Sequence, residues 1–133
     1  MSNTLFSKGR EGILNREIDM TADVRVMLVK SIYVFDDTDT FLADLGAADN
    51  GRSAAFTSKT YTSGVFDADN TTLLSLASVP SNAMIIFQHT GDDTTARLIA
   101  YIDSPSAGLP CTPATAQTIN ITWDNGVNKI FKL

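Results

Sequence analysis

The chain has 133 residues and a formal net charge of −5. A chain of this length can bury a core in one domain without disulfides or metals, and its single cysteine, Cys111, cannot form an internal disulfide. The acidic balance argues against nucleic acid as a partner, because phosphate binding needs clustered cations. The first residues lack the apolar region of a signal peptide, and no apolar run approaches the roughly 20 residues that cross a bilayer. We therefore expect a soluble protein that is made in a reducing cytoplasm and has no membrane partner.

The composition favours strands over helices. Glu11 and Glu17 are the only glutamates, whereas aspartate and threonine recur along the chain. Helices recruit glutamate, lysine and alanine, while threonine favours strands and aspartate favours turns. We predict a single domain over residues 1–133, with an N-terminal helical segment at 1–17 and a β domain at 18–133.

The first predicted element is a short helix over residues 4–16, capped by Asn3 or Thr4. Gly9 and Gly12 each weaken an isolated helix by roughly 1 kcal/mol relative to alanine. Such a helix needs packing to persist, and two partners are open: the chain's own sheet or a neighbouring subunit. The residues that fall near one helical face are Phe6, Gly9, Ile13 and Leu14.

The only basic grouping lies in the same segment and consists of Lys8, Arg10 and Arg16. On an acidic protein such a grouping is typical of a solvated helix face or of a contact with an acidic neighbour. It does not by itself indicate a phosphate-binding surface, which needs more cations on one face.

The following elements alternate between strands and turns. Residues 24–35 are largely apolar at both the odd-numbered and the even-numbered positions, which predicts a long strand covered on both faces. A helical turn is predicted over 40–45, capped by Asp39 and ended by Gly46, and a polar turn at 49–51. Several short strands at this spacing predict a mainly β fold, an antiparallel β-sandwich or small barrel with a short N-terminal helix. These strands are predicted at 54–61, 65–66, 73–76, 83–88 and 96–102, before a loop that contains Pro105, Pro110 and Pro113.

The C-terminal residues predict a β-hairpin, because an Asn-Gly pair lies between two alternating runs. A three-residue loop over 124–126 sets Trp123 against Val127 and Ile119 against Phe131. The same register places Asn128 on the polar face, whereas a two-residue loop would mix polar with apolar partners.

Trp123 is expected in the core, against Val127 and the side of another strand near 99–101. A tryptophan of a carbohydrate-binding module would instead be exposed to stack on a sugar. The final Phe-Lys-Leu is expected to be a paired strand.

Seven stretches of the chain are specific as a set, although each is a weak signal alone: 8–11, 26–29, 64–69, 97–103, 108–110, 123–126 and 128–133. Together they resemble small proteins encoded among the virion genes of tailed bacteriophages, and the likeness covers nearly the whole chain. The resemblance implies a structural part of the virion with no catalytic motif.

No catalytic or metal-binding motif is apparent. His89 is the sole histidine and lies beside a predicted turn. The sequence has no Gly-x-Ser-x-Gly motif, which would supply a nucleophilic serine for a catalytic histidine. One cysteine and one histidine do not supply a zinc site. The acidic loops at 36–39 and 67–72 lack the glycine and glutamate of an EF-hand, although a surface cation site stays open there. We predict no enzyme, no cofactor and no metal.

The function we expect is that of a non-enzymatic capsid decoration (cement) protein, which bridges major capsid subunits on the outer shell of the virion. The resemblance implies a homo-oligomer, such as a trimer at a local three-fold axis, with the major capsid protein or other virion proteins as partners. Alternatives are a head-tail connector or tail protein and, from another class, a small hydrolase or carbohydrate-binding module. The expected partner-binding residues are Phe6, Lys8, Arg10, Ile13 and Leu14.

Overall fold

The computed structural model describes residues 3–105, 108–127 and 129–133. It confirms a mainly β fold, with 37% strand and 12% helix, one short helix near the N-terminus, antiparallel sheets and no closed barrel. The helix is α1 (Ser7–Leu14), and two short 3-10 helices span Leu42–Leu45 and Thr62–Gly64. The strands are β1 (Thr4–Leu5), β2 (Val24–Lys30), β3 (Asp49–Arg52), β4 (Val65–Phe66), β5 (Thr71–Leu76), β6 (Ser81–Gln88), β7 (Leu98–Ile102), β8 (Gln117–Ile121) and β9 (Phe131–Lys132).

A five-stranded antiparallel sheet in the order β1-β7-β6-β2-β3 forms the centre of the fold. The interior strand β2 lies between β6 and β3 and is buried on both faces, as the apolar run predicts. Val26 and Leu28 point into one core, while Met27 and Val29 point into the other. No helix among the described residues is long and apolar enough to cross a membrane.

Each face of the sheet has its own apolar cover. The first core is closed by the two-stranded pair β5-β8 and by Phe56, Phe66 and Trp123. The second core is closed by Phe6, which precedes α1, and by Leu42 and Leu45 of the first 3-10 helix. The sheet is therefore the middle layer, and each core packs against one of its faces.

The predicted strand at 24–35 is too long, because β2 ends at Lys30. The Ser31 N–H donates to the Pro80 carbonyl (2.9 Å) and the Tyr33 N–H donates to the Lys30 carbonyl (3.1 Å). These bonds turn the chain away from the sheet. Residues 31–39 then run over the outside of the second core.

The predictions for 49–51 and 54–61 are wrong. The first is strand β3, in which Gly51 adopts a φ of +123° and donates its N–H to the Asp49 carboxylate (2.8 Å). The second is irregular, and the Phe56 N–H donates to the Val24 carbonyl (2.8 Å) just beyond β3. The pairing of β3 with β2 contains a bulge or irregularity, and such an edge strand accommodates residues that are typical of turns. Residues 49–51 therefore lie in β3 without forming a turn.

The helical turn forms as a 3-10 helix ended by Gly46 at φ +60°, but its predicted cap is wrong. The carboxylate of Asp44 accepts the N–H groups of Thr40 and Phe41, both at 2.9 Å. Asp39 accepts a side-chain hydrogen bond instead, as described below.

The predicted C-terminal hairpin does not form, although both of its strands exist. β8 pairs with β5, which sets Ile119 against Leu73, and β9 pairs with β4, which sets Phe131 against Phe66. Val127 is 88% exposed, so it does not cover Trp123. Asn128 lies outside the described residues.

Trp123 is buried as predicted, with different neighbours. Its ring packs edge-on against Phe56 at 5.5 Å between centroids. Its indole N–H donates to the Asp69 carbonyl (3.1 Å), and its backbone N–H donates to the Asn70 side chain (3.0 Å). The side chain therefore joins the segment after β8 to the segment before β5.

Candidate interaction surface

Helix α1 lies directly on the backbone of β7. β1 pairs with β7, and the Phe6 N–H extends the pairing to the Ile99 carbonyl (3.0 Å). At Gly9, a Cβ atom would lie 2.7 Å from the Ile99 carbonyl oxygen and 2.9 Å from that of Leu98. The glycine that weakens the isolated helix is therefore what permits its docking. Of the two open partners, the chain's own sheet takes this face.

A buried arginine fastens the helix to the sheet. Arg97 donates to the Lys8 carbonyl (2.9 Å) through Nη2 and pairs with Glu17 through Nη1. Its guanidinium also lies 5.5 Å from the centre of the Phe41 ring. Because a buried charge is stable only when it is paired, this network holds α1 in one position.

The five predicted partner-binding residues differ in how far the structure exposes them. Phe6 is fully buried in the second core, so it is not available to a partner, and that prediction is corrected. Ile13 and Lys8 are half-buried, whereas Arg10 is exposed and Leu14 is 84% exposed. The packing face centres on Phe6 and the two glycines, which turns Leu14 outward. The predicted caps are also wrong, because Asn3 precedes β1 and Thr4 belongs to it.

The charged side chains of α1 are arranged along its outer side. Lys8 and Glu11 form an ion pair at 2.8 Å, and the hydrogen bond from Lys8 holds the pKa of Glu11 below its usual value. The pKa of Asp37 is lowered chiefly by hydrogen bonds from Ser7, with a smaller effect from the charge of Arg10. Lys8 and Arg10 therefore have acidic neighbours, which is one of the two arrangements expected for the basic grouping.

Residues 31–39, which we call the outer segment, carry the apolar surface that the sequence did not reveal. Side chains alternate along it: Tyr33 and Phe35 pack onto the second core, while Ile32 is 67% and Val34 is 82% exposed. Because residues 24–35 are largely apolar at both the odd-numbered and the even-numbered positions, the pattern could not show which side faces out. Ile32 lies in the turn that follows β2, and Val34 lies in the irregular stretch after that turn.

The outer segment is anchored along its length. The Phe35 ring lies 5.2 Å from that of Phe6, and Asp37 accepts the Ser7 N–H at 2.9 Å. The Tyr33 hydroxyl donates to Asp39 (2.7 Å), and burial raises the pKa of both groups. The segment and the start of α1 therefore form one connected surface.

A groove of about 240 Å³ is lined by residues of β1, α1, β7 and β9. The two cations of this groove are Arg10 and Lys132, and neither forms a salt bridge with another described residue. We call it the Arg10 groove. Its walls and rim include Thr4, Leu5, Arg10, Ile102, Phe131 and Lys132.

The described residues offer no arrangement suited to catalysis by a metal or a thiol. No group of three His, Cys, Asp or Glu side chains that could hold a metal ion occurs among them. Burial raises the pKa of the Cys111 thiol, which is the opposite of what an activated nucleophile needs. The Asp36 carboxylate in the first acidic loop accepts hydrogen bonds from Thr38, as turn aspartates do.

The sequence matches no family model, and neither the curated proteins nor the solved structures contain a match to this chain.

Proposed function

We propose that this protein is a non-enzymatic decoration protein of a tailed-phage capsid, which bridges major capsid subunits on the outer shell. The resemblance in sequence supports the virion, and the small antiparallel β domain is compatible with it. The observation that carries the proposal is the anchored apolar surface. Ile32 and Val34 on the outer segment, and Leu14 on α1, are exposed although their side chains are apolar.

Contiguous exposed apolar patches mark interaction sites, and Ile32 and Val34 lie two residues apart on the anchored outer segment. Burying a valine or isoleucine side chain in an interface contributes about 1.5–3 kcal/mol before the cost of association. The ordering cost is small here, because Tyr33, Phe35 and Asp37 already fix the outer segment. Many copies on one shell then stabilise it through many equivalent sites.

Decoration requires that the protein prefer the assembled, expanded shell, in which neighbouring subunits present the complete bridging surface. A ligand selective for the intact shell raises its rupture temperature by mass action. We expect co-sedimentation with expanded shells, little with compact precursors, and a higher rupture temperature in the presence of the protein.

Copy number in purified virions separates this function from its alternatives. Hundreds of copies per particle support decoration, whereas a dozen or fewer, or binding at a single vertex or to isolated tails, support a connector or tail role. The absence of the protein from purified virions would contradict both virion functions.

Deletion of residues 1–16 is a poor test of the surface, because it removes the buried Phe6 and the strand β1. Leu14→Ser is the appropriate variant, since its side chain is exposed and makes little contribution to the core. We expect it to weaken shell binding without changing the free energy of unfolding.

A further inference from the structure

We propose that the Arg10 groove binds a short extended segment of the shell protein that carries acidic side chains, an inference that rests on the decoration proposal. None of the residues that line the groove belongs to the outer segment, so the groove would supply a second contact to the same partner.

The backbone of both groove walls suits an extended occupant. Among the described residues, the two-residue strand β1 pairs with β7 alone and the two-residue strand β9 pairs with β4 alone, so each has an edge without a strand partner. Edge strands present a row of backbone donors and acceptors, and an added strand uses them for binding. A segment in the groove can therefore pair with β1, with β9 or with both.

The side chains select the chemistry of the occupant. Arg10 and Lys132 place two cations at the groove, and carboxylates are their natural hydrogen-bonding partners. Leu5, Ile102 and Phe131 provide an apolar floor between these cations. Alternating acidic and apolar side chains would satisfy both features, because successive residues of a strand point to opposite sides.

The size and charge of the surroundings narrow the occupant further. At about 240 Å³ the groove is smaller than the roughly 300–1,000 Å³ of small-molecule sites, so an extended chain would lie along it and place only part of its side chains inside. The protein carries a net charge of −5. This net charge disfavours an acidic segment over the surface as a whole, so its binding needs a local pair of cations such as Arg10 and Lys132.

The test uses a defined probe, the blocked pentapeptide Val-Glu-Val-Glu-Val, titrated into isotopically labelled protein and followed by NMR. We expect shifts at Thr4, Leu5 and Ile102, and weaker binding at 1 M salt, where screening is strong. The double variant Arg10→Gln/Lys132→Gln should weaken binding by about tenfold or more. The control Arg16→Gln/Lys30→Gln removes the same charge outside the groove and should bind as the wild type does.

Shell co-sedimentation with the same two double variants separates this inference from the decoration proposal. Peptide binding at the groove together with weakened shell binding of Arg10→Gln/Lys132→Gln supports the inference. If the protein binds the peptide but does not bind any shell, the decoration proposal fails. The shell protein is then not the partner that supplies the acidic segment. If the shell binds both variants equally, or the Val-Lys-Val-Lys-Val peptide binds as well as the acidic one, the groove inference is overturned while decoration stands.

Discussion

Replacement of Gly9 by alanine tests whether α1 is docked as the structure shows. A Cβ at this position would lie 2.7 Å from the Ile99 carbonyl oxygen and 2.9 Å from that of Leu98. Both contacts are with the backbone of β7, which pairs with β1 and β6 and cannot rotate away. The helix itself must therefore move.

The expected magnitude follows from two opposing effects. Moving from 2.7 Å to the 3.4 Å of an ordinary contact requires a shift of about 0.7 Å at Gly9, which disturbs Phe6 and the Arg97 hydrogen bond to Lys8. Overpacking of this kind costs about 1–3 kcal/mol. Alanine recovers about 1 kcal/mol through its higher helix propensity. We expect a net loss of about 0–2 kcal/mol in the free energy of unfolding.

Urea unfolding followed by circular dichroism measures this difference, with Gly12→Ala as the graded comparison. At Gly12 the close atoms are the ends of the Arg97 and Ile18 side chains, at 2.7 Å, and these can move more easily. We therefore expect a smaller loss for Gly12→Ala than for Gly9→Ala.

A higher free energy of unfolding for Gly9→Ala than for the wild type would refute the docking of α1 on β7. A helix that made no contact with β7 would gain stability from alanine, by about 1 kcal/mol. A stabilised Gly9→Ala variant would mean that α1 is free and that its glycines do not serve close packing.

Three further substitutions test the interior and the pH dependence. Trp123→Ala should lower the free energy of unfolding by about 3–5 kcal/mol, measured by circular dichroism in urea, and an unchanged value would contradict its burial. Asn50→Ala should cost about 1–3 kcal/mol in the same assay, because the buried side chain accepts the Ala77 N–H, and a neutral effect would show that the two groups are solvated. The hydrogen bond from Arg25 lowers the pKa of Asp23 below its usual 3.8, so its contribution is present above that pH and is lost as the pH falls through the lower folded-state pKa. Asp23→Asn should therefore reduce the fall in stability between pH 6 and pH 2 by up to about 1 kcal/mol, and an unchanged fall would contradict the pair.

The sequence predicted which residues are apolar and extended better than it predicted which strands pair. Both hairpin strands exist near 119 and 131, and Trp123 is buried. The Asn-Gly turn made their mutual pairing locally favourable, but each strand found a partner elsewhere, β5 or β4. The alternation of polar and apolar residues determines which face of a sheet each side chain lies on. It does not determine which other strand pairs with the segment.

The candidate surface could be predicted only in part, for two physical reasons. Helical spacing grouped Phe6 with Leu14, although the packing face follows the glycines that allow β7 to approach. The outward direction of Ile32 and Val34 depends on the turn after Lys30, which is made by a distant carbonyl, that of Pro80. Such long-range contacts leave no local pattern in the sequence.

The most direct test of the proposed function compares two valines of nearly equal exposure. Val34 is 82% exposed on the outer segment and Val127 is 88% exposed elsewhere, so Val34→Ser and Val127→Ser change the same atoms with little effect on folding. The measurement is the affinity of each variant for expanded shells by co-sedimentation. We predict that Val34→Ser binds about tenfold more weakly than the wild type and that Val127→Ser binds equally well. Equal binding by both variants, or no binding of the wild type to expanded shells, would contradict the account.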